Sequence, residues 1–171
     1  MHFNIPTNLE KTAVFEQIAE ALKKENFTVI KQDTTRPWGG FFVIDESQAN
    51  AFASKFFPQL EISDIQITNK LSPKILVVAP NKRLSWQFHH RRAEIWKVIG
   101  VTVGVKTSNT DEEGEVQQLS PGNFIQLDKG ERHRLIGLDS WGIVAEIWQH
   151  TDPENPSDED DIVRLQDDFG R

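Results

Sequence analysis

The fold is decided by the stretch Trp86-Gln87-Phe88-His89-His90-Arg91-Arg92-Ala93-Glu94-Ile95-Trp96. Alternating apolar runs flank it on both sides, so we expect it to occupy two strands and the turn between them. Side chains two residues apart share one face of a strand. Gln87 and His89 are therefore expected to project together, and Glu94 returns on the next strand to meet them.

A second stretch changes the interpretation of this histidine pair, which by itself is typical of an exposed polar strand face. Between Gly122 and His133 the chain is rich in turn residues, and it delivers a lone imidazole at the start of another strand. Inward-facing positions alternate along the strands of a β-barrel. Two hairpins can thus bring Gln87, His89, Glu94 and His133 to one point. Histidine and carboxylate are usual ligands of zinc and its first-row neighbours, so we predict a metal site.

The two stretches resemble the paired motifs of the cupin superfamily. The first cupin motif is histidine, any residue, histidine, three or four residues, glutamate and a later glycine; this chain has Gln87 in place of the first histidine. The second motif has a proline that is replaced here by Asp128 and an asparagine that is replaced by Gly137. The remaining motif positions match, except that the glycine of the first motif, Gly100, comes about one residue early.

With these substitutions in the cupin motifs, the chain resembles one branch of the superfamily. Residues 84–96 are similar to the signature of type II mannose-6-phosphate isomerases, in which a glutamine also precedes the histidines. Three further segments are similar to that family: Arg36-Pro37-Trp38-Gly39, His133-Arg134-Leu135, and the carboxy-terminal residues 159–171. Arg91 and Ile95 stand where the family has histidines. The resemblance spans about residues 36–171.

Patterns in the residues and the resemblance together predict the fold. Short strands separated by turns from residue 71 onward are typical of a sandwich or barrel, and one continuous run is predicted over residues 95–105. The resemblance implies an all-β cupin-type double-stranded β-helix, or jelly-roll barrel, over residues 36–171. Residues 1–35 are predicted as a helical and strand extension, with a capping box at residues 7–10 opening a helix over 8–25. A second, added helix is predicted before Pro58.

The carboxy-terminal part supports two interpretations. Residues 152–158 are acidic and contain two prolines, which by composition is typical of a disordered tail. The resemblance implies instead that residues 160–171 fold back and that Arg164 approaches the barrel mouth.

The composition limits the classes of function. The 171 residues suffice for one domain with a substantial core. The net charge of −7 argues against nucleic acid as a partner. The absence of cysteine excludes disulfides and thiolate ligands. The sequence has neither a signal-like amino terminus nor an apolar run of membrane-spanning length, so we expect a cytoplasmic protein without a membrane partner.

The resemblance implies a metal-dependent aldose-ketose isomerase that acts on a sugar phosphate, with mannose 6-phosphate and fructose 6-phosphate as the pair and hexose, pentose and heptose phosphates left open. One divalent ion, Zn²⁺ first among the candidates, is the expected cofactor. Arg36, Trp38, Arg92 and Arg164 are predicted to bind substrate. The general base is predicted among two residues that the sequence does not rank, Glu146 and His90.

Alternatives to this function follow from the same residues. The histidines missing at Arg91 and Ile95 favour a non-catalytic metal-containing cupin that binds a sugar phosphate or a nucleotide sugar. An iron oxygenase is less favoured because Gln87 replaces an imidazole. Bifunctional family members carry a nucleotidyltransferase domain for which this chain has no room, so no nucleotide-sugar synthesis is expected. Barrels of this kind often pair through their edges, which makes a homodimer an open alternative.

Overall fold

The computed structural model describes residues 1–171 as two facing antiparallel sheets with a few helices on one outer face. The helices are α1 Lys11–Lys24, α2 Ala49–Phe56 and α3 Ile62–Ile65, with a 3-10 turn at Glu46–Gln48. The strands are β1 Val29–Asp33, β2 Gly39–Ile44, β3 Lys74–Val78, β4 Trp86–Phe88, β5 Arg92–Val98, β6 Val103–Ser108, β7 Gln117–Leu119, β8 Phe124–Leu127, β9 Arg132–Ile136, β10 Gly142–His150 and β11 Val163–Gln166. None of the helices combines the length and the apolar character needed to cross a membrane.

The sheet topology confirms the predicted jelly-roll architecture. One sheet has six strands in the order β1-β2-β3-β10-β5-β8, and the other has five in the order β11-β4-β9-β6-β7. A cluster of 12 buried apolar residues fills the space between the sheets and draws on both of them. Some neighbours in each sheet, such as β3 with β10 and β4 with β9, are distant in sequence, so residues far apart along the chain share one interior.

The side chains of strand β10 alternate between the two faces of the six-stranded sheet. The strand is buried along nearly its whole length. The odd-numbered residues 143–147 belong to a 24-residue apolar cluster that includes α1 and α2, whereas Val144 belongs to the cluster between the sheets. Because side chains alternate, Glu146 and Trp148 lie on the same inward side as Val144. This alternation places a carboxylate inside the barrel.

The amino-terminal helix closes the outer face of the six-stranded sheet. Val14, Ile18 and Leu22 are fully buried there, and burying each such side chain contributes about 1.5–3 kcal/mol. The predicted capping box is wrong: α1 begins at Lys11 after Glu10, with no side-chain cap, because residues 6–9 form a separate turn. Since β1 pairs with β2, residues 29–33 extend the sheet of the barrel, and a domain boundary at residue 35 stays a prediction.

Two further expectations need correction. The continuous strand predicted over residues 95–105 is in fact β5 and β6 in different sheets, joined by a turn that contains Gly100. A Cβ atom at Gly100 would lie 3.1 Å from Ile143 atoms, so this turn packs tightly against β10. The four-residue helix α3 was not predicted; it is too short to leave a helical period in the sequence.

The carboxy-terminal residues are ordered against the barrel. Strand β11 pairs with β4, including Arg164 opposite Gln87. The preceding acidic segment is held by Arg91, whose guanidinium donates to Asn155 Oδ1 and to the Pro156 carbonyl at 2.6 and 3.0 Å. The disordered-tail interpretation is therefore wrong, because composition alone does not register the basic partners that neutralise the acidic residues.

Candidate active site

Three strands bring the predicted metal ligands together inside the barrel. Gln87 on β4 is the register partner of His133 on β9, His89 follows β4, and Glu94 lies on β5. The Nε2 atoms of His89 and His133 lie 3.3 Å apart. Glu94 Oε1 is 3.1 Å from His89 Nε2, and Glu94 Oε2 is 3.4 Å from His133 Nε2. All three side chains are at most 2% exposed.

The histidine tautomers leave both Nε2 lone pairs directed at one point. His89 Nδ1 lies 2.6 Å from the Asp161 carbonyl, and His133 Nδ1 lies 2.9 Å from the Glu131 carbonyl. A carbonyl oxygen only accepts a hydrogen bond, so each Nδ1 carries the proton. Hydrogen bonds of this kind fix ring orientation in metal sites.

The donor set fits a divalent cation. Two nitrogen lone pairs and a carboxylate face one another, and Glu94 Oε2 is buried without a hydrogen-bond partner. Zinc–nitrogen distances of about 2.0–2.1 Å in a tetrahedron place two ligand nitrogens about 3.3–3.4 Å apart, which agrees with the 3.3 Å between the imidazoles. His89, Glu94 and His133 could therefore hold a metal ion.

The charge states of Glu94 and His89 also favour metal binding. Burial would raise the pKa of Glu94, but His89 and Arg92 hold it well below its usual value. Burial lowers the pKa of His89 despite the attraction of Glu94. An ionised carboxylate beside a neutral imidazole is the form that binds a metal.

Gln87 is placed for the fourth position. It is 8% exposed and lines the cavity beside Glu94. Its Oε1 accepts a hydrogen bond of 2.6 Å from Ser85 Oγ, and a carbonyl oxygen retains a second lone pair. Ligation by Gln87 stays a prediction.

Arg92 is part of the wall around the cluster. Its Nε donates to Glu94 Oε1 at 2.7 Å, and its Nη2 lies 3.2 Å from His89 Nε2. Its Nη1 donates to Ser157 Oγ and to backbone carbonyls of the following segment. The guanidinium also stacks 3.6 Å from the centre of the Trp148 ring. Most of its donors are thus committed to the protein, which favours a positioning role over the predicted contact with substrate.

Glu146 lies in the interior beside the cluster. Its Oε1 accepts a hydrogen bond of 2.9 Å from Trp96 Nε1, and the Trp96 ring meets His133 edge-on. Burial, followed by the charge of Glu94, raises the pKa of Glu146 to about 8, although Lys74 opposes this shift. A carboxyl group that exchanges its proton near neutral pH is suited to general acid–base catalysis.

An open cavity of about 310 Å³ leads from this interior to the surface. Three of the residues predicted to bind substrate line this cavity: Arg36, Trp38 and Arg164. Arg171 lines it as well. Arg36 donates from Nε to Asp33 at 2.9 Å, while its two Nη groups have no protein partner. Burial lowers the pKa of Arg164, with the positive charges of Arg171 and Arg36 adding to the effect. Several guanidinium groups therefore meet at the mouth, and two of them, those of Arg36 and Arg171, are paired with Asp33 and Asp167.

Comparison with known proteins agrees with this fold. CapF from Staphylococcus aureus, a capsular polysaccharide assembling protein, superimposes with a TM-score of 0.52 and 13% identity over 80% of this chain and 34% of CapF. KdgF from Halomonas sp. gives 0.50 with 14% identity over 76% and 91% of the two chains. The model of the family described as mannose-6-phosphate isomerase C-terminal matches residues 47–167. The chain belongs to this family.

Curated relatives of similar sequence are much longer than this chain. The mannose-1-phosphate guanylyltransferase ManC of Salmonella typhimurium is 29% identical over 145 residues, which is 82% of this chain and 23% of ManC. The xanthan biosynthesis protein XanB of Xanthomonas campestris is 29% identical over 136 residues, 80% of this chain and 23% of XanB. The chain therefore spans about a quarter of the length of these relatives.

The side chains of Arg91 and Ile95, which stand where the related signature has histidines, both point away from the cavity. Ile95 is fully buried in the apolar cluster beneath the helices. The Arg91 guanidinium binds the acidic carboxy-terminal segment. The substitutions therefore take no ligand or proton-transfer group from the interior.

The structure does not bring His90 to the site. Its side chain is exposed and its ring packs edge-on against Phe88, 5.2 Å between centroids. His89 and His90 alternate on the chain, so the inward direction of His89 turns its neighbour outward. Of the two candidate bases, only Glu146 lines the cavity.

Sequence reasoning missed several residues of the cavity. Lys74, Glu159 and Arg171 line it, and Asp161 orients His89 through its carbonyl. A signal for Lys74 was present: it occupies an inward position in phase with Leu76 on a strand that is otherwise apolar. No comparable signal marks Asp161, because its contribution comes from the backbone.

Proposed function

We propose that this chain is a metal-dependent aldose-ketose isomerase of sugar phosphates, with mannose 6-phosphate and fructose 6-phosphate as the first pair to test. The observation that carries the proposal is the convergence of His89, Glu94 and His133 beside Glu146 at the inner end of a cavity with several guanidinium groups at its mouth. The names of the relatives, which refer to mannose 1-phosphate and polysaccharide synthesis, support the substrate class.

The residues of the cluster would hold one divalent ion, with zinc favoured by the nitrogen-rich donor set. Such an ion polarises a carbonyl and stabilises negative charge that develops on its oxygen. His89 and His133 are neutral ligands, so Glu94 supplies the only formal negative charge. A bound ion with only one negatively charged ligand would keep much of its positive charge, which favours Lewis-acid catalysis.

Glu146 is the residue proposed to move the proton. Isomerisation between an aldose and a ketose transfers a proton between two adjacent carbons. Glu146 takes the proton from C2 of the aldose and returns it to C1, while the hydroxyl proton of O2 passes to O1, so that the aldose and the ketose have the same atoms and charge. Trp96 Nε1 holds one carboxyl oxygen at 2.9 Å, which leaves the second oxygen for this transfer. Trp96 and Trp148 line the cavity beside it.

The arginines at the mouth are proposed to hold the phosphate. A guanidinium binds phosphate oxygens through two parallel hydrogen bonds. Arg36 offers two Nη groups without protein partners, and Arg164 has no hydrogen-bond partner among the side chains around it. Positive charges that repel one another in the free protein are stabilised when a dianion lies between them.

The test is a coupled isomerase assay on zinc-loaded protein with a panel of hexose, pentose and heptose phosphates. We expect turnover of at least one aldose phosphate and its loss after chelation, with recovery when zinc is restored. Calorimetric binding of phosphorylated sugars without turnover of any of them would replace isomerase with the non-catalytic cupin. The outward direction of Arg91 and Ile95 is the reason that we favour catalysis.

A further inference from the structure

Lys74 is a buried cation that the proposed mechanism does not use. It begins β3, is 4% exposed, and is the register partner of Glu146 on β10. Its ammonium lies 3.6 Å from the centre of the Trp148 ring. Burying an ammonium group is costly unless it is paired. Its presence at an inward position therefore calls for a counterion, and the structure supplies one.

That counterion is Glu159, which lies on the carboxy-terminal segment and not on the sheet. The carboxylate of Glu159 forms an ion pair with Lys74 Nζ. The two partners differ in environment: the Lys74 side chain is 5% exposed, whereas that of Glu159 is 49% exposed. Glu159 can regain its hydration by a small rotation, and Lys74 cannot.

Glu159 also lies among the cations proposed to hold the phosphate. Its negative charge acts on Arg164 in opposition to the positive charges of Arg171 and Arg36. Arg36 and Lys74 approach the same Phe41 ring, at 5.6 and 5.3 Å from its centre. The half-exposed carboxylate of Glu159 thus lies near both the buried ammonium of Lys74 and the guanidinium group of Arg164.

Building on the proposed function, we propose that Lys74 binds an anionic oxygen of the substrate's phosphate monoester and that Glu159 is the displaceable internal anion at this position. A phosphate dianion presents three acceptor oxygens and more charge than a carboxylate. It can contact Lys74 and the guanidinium groups together, while Glu159 turns to solvent. A neutral sugar supplies no anion for Lys74 and leaves Glu159 in place. The pair therefore selects phosphorylated sugars.

The experiment measures binding, by calorimetry, of mannose 6-phosphate and of inorganic phosphate to the full chain. Glu159→Gln is expected to bind both ligands about fivefold more tightly because the competing carboxylate is gone. Lys74→Met is expected to bind them about tenfold more weakly. The double variant should bind nearly as Lys74→Met does, since Glu159 is in direct contact with Lys74 and acts on Arg164 only through its charge.

Two controls carry the same charge changes elsewhere. Glu154→Gln removes an exposed carboxylate from the same segment but outside the cavity. Lys55→Met removes a lysine that pairs with Glu25 on the helical face. Both are expected to leave the affinities unchanged. Lys74→Arg retains the charge, and its affinity should lie between those of the wild type and Lys74→Met.

The outcomes separate this inference from the proposed function. If the wild type binds mannose 6-phosphate and Glu159→Gln binds no tighter than Glu154→Gln, the inference is wrong and the isomerase proposal stands. A gain in Glu159→Gln that persists in the Lys74→Met background also overturns it, because the effect is then one of general charge. Failure of the wild type to bind any phosphorylated sugar overturns both proposals.

Discussion

His89 and His90 are adjacent in sequence and opposite in environment. The first is buried with Nε2 directed at Glu94 and His133; the second is exposed. Replacing a direct ligand should weaken metal binding by more than about 100-fold, since even supporting residues are worth 10- to 100-fold. We therefore expect His89→Asn to lose zinc, measured by metal analysis after dialysis.

The matched variant His90→Asn changes the same side chain one residue away. It should retain the zinc content of the wild type. Equal metal content in the two variants would show that the cluster does not bind the ion.

Glu146→Gln tests the proton-transfer role. Glutamine has the same shape and its carbonyl can still accept the Trp96 Nε1 hydrogen bond, so folding and zinc content should persist. We expect kcat to fall by about 100- to 10,000-fold, the usual contribution of a general acid or base. The measurement is steady-state turnover of the aldose phosphate identified in the coupled assay.

Glu115→Gln is the control for Glu146→Gln, because Glu115 is exposed and distant in sequence from every cavity residue. Undiminished turnover in Glu146→Gln would remove Glu146 from the mechanism.

At the scale of single residues, spacing along strands predicted that His89, Glu94 and His133 converge, but it did not predict their surroundings. His89, Glu94 and His133 follow from alternation on strands whose apolar neighbours fix the inward face. His90 could not be separated from His89 as a functional group until the turn after β4 was placed. Asp161 contributes a backbone carbonyl, and every residue has one, so no side-chain pattern could identify it.

The carboxy-terminal segment is the element that completes the site. Asp161 binds this segment to the barrel: its carboxylate accepts from the backbone N–H groups of His90 and Arg91 at 2.9 and 3.0 Å and from Ser157 Oγ at 2.6 Å. Its carbonyl orients His89. The segment therefore positions the candidate metal ligand His89 and carries Glu159 and Arg164.

Asp161→Asn should loosen this segment. An amide has one accepting oxygen and presents N–H groups to donors, so at least one buried donor is left unpaired, at a cost of about 1–3 kcal/mol. We expect a lower free energy of unfolding in urea and faster hydrogen exchange in β11.

The neighbouring variant Asp160→Asn is the control, because Asp160 is exposed and its side chain forms no hydrogen bond that holds the segment. Equal stability of Asp160→Asn and Asp161→Asn would show that the carboxylate of Asp161 does not hold the segment in place.

At the scale of elements, strands that start and end at turn residues were predictable, and a change of sheet was not. Residues 74–78 and 142–150 coincide with β3 and β10. The apolar pattern of residues 95–105 continues through the turn, because Ile99 packs in the cluster beneath the helices and Val103 in the cluster between the sheets. Periodicity reports that both are buried and does not report that they belong to different layers.

The whole molecule joins two apolar layers through one shared sheet, and the site lies at the polar edge of the inner layer. The outer layer holds α1 and α2 against the six-stranded sheet. The inner layer packs the sheets together and ends at Trp96 and Leu127 beside the cluster. Residues on β3, β5 and β10 are therefore fixed from both sides. This packing on both sides is expected to hold the candidate ligand Glu94 and the candidate proton-transfer residue Glu146 in fixed positions.

His150 makes the stability of the whole molecule dependent on pH. It is fully buried; Nδ1 accepts from the Ser157 N–H at 3.0 Å, and Nε2 lies 2.9 Å from Ser72 Oγ. Burial and then Lys70 lower its pKa from 6.5 to about 4. Below pH 6.5 the unfolded chain binds a proton that the folded chain excludes until about pH 4, so stability should fall as pH decreases through this window. Urea unfolding at a series of pH values measures the slope. His150→Gln should flatten it, whereas His90→Gln should retain it; identical slopes in the wild type and His150→Gln would contradict the assignment.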